Sequence, residues 1–200
     1  MATKRLVIDG YGQIELNNCA FRRDGRIEAQ LPLNSASFSN TDPCENGMIL
    51  AINSVGKKID KPAIDKANPS ATMLGLVYTS EHMYDERKNG LKDFCTYPTD
   101  DFYPRLGYLA VGDKFTENCI SYSLTDYATE ALFITALKAC ATTKLYCYPT
   151  ADGSTQIRSA TTAGDIPYGT VIAATTMPDG QLGVKIQVTN CAPTFATVAY

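Results

Sequence analysis

Residues 125–143 read TDYATEALFITALKACATT. Whether this stretch is a helix or a buried strand decides whether the chain is β throughout or β with one helical break. Thr125 or Asp126 can cap a helix, and Thr129-Glu130 supply first-turn polarity. Ala131, Leu132, Ile134, Ala136, Leu137 and Ala139 then form a broad apolar face. A buried strand through ALFITAL is the competing reading, because a short apolar run fits both periods. We read one short helix near 126–141.

On either side of it the signals are β. After the helix come KLYCY, TQIRSA, GTVIAAT, QLGVKIQV and TFATVAY, separated by the turn-like PTADGS, TAGDIPY and MPDG. Before it, RLVI and QIEL flank DGYG, and CAFRR and RIEAQ flank Asp24-Gly25. Asp-Gly suits a tight hairpin because both central residues need positive φ. LPLNSASFSNTDPCENG reads as a loop. MILAI and KIDKP form a hairpin around NSVGK, and Gly75 in MLGLVYT marks a bulge or a close backbone approach. RLGYLAV and NCISYSL read as strands around GDKFTE, with a turn at Gly112-Asp113 and a short irregular crossing after it. The predicted class is mainly β, with antiparallel hairpins forming sandwich- or barrel-like units. The predicted division is an N-terminal β-rich part over 1–124 and a helix plus C-terminal β-rich part over 125–200.

Composition narrows the function. The 200 residues are 44% hydrophobic and 20% charged, as in ordinary globular proteins. With 18 basic and 21 acidic residues the net charge is −3, which leaves no excess to neutralise a phosphate backbone. Nucleic acid is not an expected partner. No apolar run approaches the roughly 18 residues needed to span a bilayer, and the apolar start Leu6-Val7-Ile8 stops at Asp9, so neither a membrane nor a signal peptide is expected. The seven cysteines are widely spaced with no C-x-x-C pair, and they read as small buried hydrophobes kept reduced in the cytoplasm.

The one histidine, His82, lies in SEHMYDERKNGLKDF (80–94) beside Glu81, Asp85 and Glu86. A histidine–carboxylate pair can serve as a general base, but it needs a nucleophile in reach, and G-x-S-x-G is absent. The dinucleotide and phosphate-loop motifs are absent too. Asp100-Asp101 and Asp85-Glu86 are adjacent pairs, which a strand would point to opposite faces. NTDPCEN lacks the spacing of a calcium loop. We therefore expect no catalysis, no cofactor and no metal, with residues 80–94 as a polar surface loop. The 12 tyrosines and 7 phenylalanines, without tryptophan, suit protein contact or sugar stacking as well as an ordinary core.

Several phrases resemble structural proteins of tailed bacteriophages, the small β-rich kind that decorates or cements the head: AFRRDGRIEAQLPL (20–33), ENGMILAIN (45–53), YTSEHMYDERKNGLKDF (78–94), DFYPRLGYLAVGDKFTENCI (101–120) and GDIPYGTVIAAT (164–175). The resemblance implies a virion protein, made in the host cytoplasm, that binds the major capsid protein or other virion proteins as a homo-oligomer such as a trimer. It implies an amino-terminal capsid-binding arm in MATKRLVIDGYG, with Lys4 and Arg5 against an acidic shell. Tyr84, Arg87, Phe102, Tyr103 and Arg105 are the candidate contacts, since Arg and Tyr anchor interfaces. The chain is longer than the smallest cement proteins and carries a helix, which leaves a tail or neck role open. A carbohydrate- or receptor-binding β module is the alternative from another class.

Overall fold

The computed structural model describes residues 3–15, 29–53, 57–62, 74–79, 95–99, 103–161 and 166–190. In chain order the first strands are β1 (Thr3–Arg5), β2 (Ala29–Gln30), β3 (Cys44–Glu45), β4 (Ile49–Asn53), β5 (Lys58–Asp60), β6 (Leu74–Val77) and β7 (Cys95–Thr96). There follow β8 (Arg105–Tyr108), β9 (Lys114–Glu117), β10 (Ile120–Ser123), helix α1 (Glu130–Lys138), β11 (Tyr146–Pro149), β12 (Thr155–Arg158), β13 (Gly169–Thr176) and β14 (Leu182–Val188). The chain is mainly β, with one helix among the described residues, as its patterning predicts.

A seven-stranded sheet runs β1-β10-β12-β11-β13-β14-β9, and a five-stranded sheet runs β2-β8-β6-β4-β5; β3 and β7 form a separate pair. Both larger sheets have two ends, so neither is a closed barrel. The hairpins expected at β4–β5 and β13–β14 form in antiparallel register. Strands β1, β9 and β10 precede residue 124 and β11–β14 follow it, so the division expected there runs between strands of one sheet.

Two local readings are corrected. Residues 13–15 do not return on β1: Ile14 bridges Glu117, and β1 pairs with β10, where Leu6 donates to the Ile120 carbonyl at 3.0 Å and is buried. KFTE is not an irregular crossing but a strand. The turn closes at Asp113, whose carboxylate accepts the Ala110 N–H at 2.7 Å, and β9 starts at the next residue with Phe115 buried. Strands β10 and β12, which no hairpin joins, pair in parallel. Asp24-Gly25 and TFATVAY lie outside the described residues.

Period-two alternation builds the cores. On β4 and β6, Ile49 and Leu76 face a larger apolar cluster that also holds Tyr122, Phe133, Leu137, Val171 and Ile186. Their neighbours Leu50 and Val77 face a smaller one with Leu33, Phe38, Ile59 and Leu106. The five-stranded sheet is thus buried on both sides. Gly75 is the close approach expected of it: a Cβ there would lie 3.1 Å from Ile52 and 3.2 Å from Leu106.

The helix is shorter than expected. Asp126 and Tyr127 both donate to the Ser123 carbonyl in a turn, and the cap is Thr129, extended at φ −139, whose hydroxyl accepts the Leu132 N–H at 3.4 Å. Only Phe133 and Leu137 of α1 are buried, while Leu132 is 56% exposed. Thr129→Ala is expected to lower stability by about 0.5–1 kcal/mol, the low end for a lost cap, read from urea denaturation midpoints. Among the described residues no helix is long and apolar enough to cross a membrane.

Candidate functional site: a buried polar joint

One face of the seven-stranded sheet is apolar, and the other is polar where β1, β10, β12 and β11 meet. Register places Arg5 opposite Ser121, and Ser121 opposite Gln156. The Gln156 amide donates to Thr3 Oγ1 at 2.8 Å, and Arg158 Nε donates to Gln156 Oε1 at 2.8 Å. The Arg158 guanidinium lies 5.0 Å over the Tyr148 ring. Polar side chains at these depths must be paired, and the row satisfies them laterally.

Arg5 anchors the joint. Its guanidinium makes a two-pronged ion pair with Glu45 of β3, one prong through Nη1 and the other at 3.3 Å through Nη2, which also lies 3.4 Å from Cys119 Sγ. Arg5 keeps about a third of its side chain in solvent, at 34%, whereas Glu45 keeps 7%. The second Glu45 oxygen accepts the Gly12 N–H, so this carboxylate ties the first strand to the loop that follows it. Asn46 then mimics a strand partner: it accepts the Thr79 N–H at 2.8 Å and donates to the Thr79 carbonyl at 3.0 Å. Gly47 donates to the Val77 carbonyl at 2.9 Å, and Ile49 donates to Gly153 at 2.8 Å. Residues 45–49 therefore stitch the two larger sheets together.

Three ionisable groups lie around this stitch. Burial pushes the Cys119 thiol up, with the Arg5 charge opposing it, so Cys119 is a neutral thiol. Burial also acts to raise Asp152, but hydrogen bonds from Thr150 and Ser154, with help from Arg5, hold it below the ordinary carboxylate range. Glu117 is fully buried and neither of its oxygens has a hydrogen bond of good geometry. Burial pushes it up to about 8, while the Thr155 hydroxyl and Arg5 pull the other way. The Thr155 hydroxyl also lies 2.7 Å from Tyr168 Oη.

The candidate contacts fall in two places. Lys4 is exposed on β1, the outer strand of its sheet, and Arg5 beside it points inward to Glu45. The segment expected as an arm is, over residues 3–6, built into the chain's own sheet. Tyr103 is 39% exposed just before β8, and its carbonyl accepts from Gln30 at 3.5 Å. Arg105 is half-buried on β8, opposite Gln30, with its N–H on Thr79 Oγ1 at 2.9 Å. Tyr84, Arg87, Phe102 and His82 lie outside the described residues. Cys44, Cys119 and Cys147 are buried free thiols, and Cys95 and Cys140 are half-buried. Among the described residues no group of three or more His, Cys, Asp or Glu is placed to hold a metal ion.

Sequence reading missed Glu45, Gly47 and Glu117. The available signal was alternation: Phe115 and Glu117 share a face of KFTE, which sets a carboxyl among core positions. Comparison with family models, with curated proteins and with solved structures returned no match.

Proposed function

We propose that the chain is a structural component of a tailed-bacteriophage particle, a decoration protein that stabilises the head by binding the major capsid protein. The phrase-level resemblance suggests the setting, and one structural observation supports the mode. Strand β1 ends the seven-stranded sheet, its Lys4 is exposed, and Val7 just beyond it is 71% exposed. Arg5 and Thr3 meanwhile anchor the same strand inward through Glu45 and Gln156. A firmly held strand with an outward edge is what strand addition to a neighbouring subunit requires. Repeated over a lattice, many such weak contacts add through avidity.

The test is the copy number of this chain in purified virions, read from a stained gel, together with binding to capsids stripped of it. A copy number on the scale of the lattice is expected, and a Lys4→Glu, Tyr103→Ala double variant is expected to bind about tenfold or more weakly with an unchanged circular dichroism spectrum. Absence from virions, or selective binding on a glycan array, would overturn the assignment.

A further inference from the structure

We infer that Glu117 stands in the folded chain as a neutral carboxylic acid, and that loss of its proton loosens the joint between residues 45–49 and the β9–β10 connection. The geometry carries this. Glu117 sits on the apolar face of β9, opposite Val184 of β14, and is bridged on its other side by Ile14. Gly47 backs directly onto it: a Cβ at Gly47 would lie 2.6 Å from Glu117 Oε2. Among the described residues the cation whose charge acts on it is Arg5 of β1, and that guanidinium already bonds both oxygens of Glu45 on β3.

The remaining groups facing it are no better suited. Cys119 in the connection and Cys147 on β11 are buried thiols, Tyr168 before β13 is a buried phenol, and each resists ionisation further because of Glu117. Asp152, held ionised by Thr150 and Ser154, also draws on the charge of Arg5. Thr155 of β12 offers one hydroxyl, shared with Tyr168. A carboxylate at this position would be buried and short of donors. A neutral acid costs far less there.

The sign follows from proton linkage. An exposed glutamate in the unfolded chain ionises above about 4.5, while the folded chain keeps its proton up to about 8. Between those limits the folded state holds the extra proton, so stability is greatest at the acid end, falls as pH rises through the window, and is level beyond it. The inference does not depend on the virion reading.

The experiment compares the full wild-type chain with Glu117→Gln by urea denaturation across this window. In the wild type the unfolding equilibrium constant is expected to rise by up to about tenfold per pH unit relative to the variant. Protection of the Gly47 amide, taken relative to its intrinsic exchange rate at each pH, should fall over the same range in the wild type alone. Identical pH slopes in the two proteins would overturn the inference. If the variant does not fold, carbon NMR of carboxyl-labelled glutamate in the wild type decides it. One neutral glutamate at about pH 7 upholds the inference, and an entirely ionised set overturns it.

Discussion

Phe133→Ala is expected to destabilise the protein by about 3–5 kcal/mol, while Leu132→Ala, one residue away, changes stability by no more than about 0.5 kcal/mol. The contrast rests on where the two side chains go. Phe133 is fully buried, its ring stacked on Tyr122 at 4.7 Å and tilted against Tyr127 at 5.3 Å. Its removal forfeits transfer energy and two aromatic contacts, and it leaves a cavity bounded by strands that cannot collapse inward. Leu132 points outward. Helix α1 has nine residues, too few to persist on propensity, so burial of Phe133 and Leu137 in the larger apolar cluster is what holds it in place. Urea denaturation at constant m value measures both effects; a loss below about 1 kcal/mol for Phe133→Ala would mean that the helix is anchored elsewhere.

The helix also shows what sequence can and cannot reveal. Its existence was legible because a cap, an acidic first turn and a four-residue apolar spacing agree. Its start was misplaced because Thr125, Asp126 and Thr129 are all chemically able to cap; tertiary packing of Tyr127 under the helix, not propensity, selects Thr129. The hairpins β4–β5 and β13–β14 were legible because their strands are sequence neighbours joined by turn residues. The pairing of β1 with β10 was not, since it joins Thr3 to Ser123 across more than half the chain, and no local signal encodes that.

The polar joint was hidden for a related reason. Arg5 was singled out as a surface charge to be given to a partner, and it does lie at a sheet edge. Its guanidinium is instead committed to Glu45, forty positions along, which only the folded register brings near. Lys4, adjacent in sequence and opposite in face, is the one that stays outside. Alternation along β1 therefore separates an internal anchor from an external contact within two residues.

Gly47→Ala should be among the most damaging single-methyl changes in the molecule, at about 2–5 kcal/mol. Two costs combine. Gly47 has φ +83, a left-handed conformation that a side chain adopts only with strain of about 1–2 kcal/mol. The added carbon would also lie 2.6 Å from Glu117 Oε2 and 2.9 Å from Cys119 Cβ, so a rigid part of the joint must move. Gly112 separates the two costs: its φ is +98 but nothing lies within 4 Å of its Cβ position. Gly112→Ala should therefore show the backbone cost alone. The steric part has its own signature, because shortening Glu117 to alanine opens the space that the new methyl needs. Gly47→Ala should cost less on a Glu117→Ala background than alone, with a coupling of about 1 kcal/mol or more. Additive losses, or equal losses at Gly47 and Gly112, would show that the close packing of Gly47 on Glu117 does not hold the two sheets together.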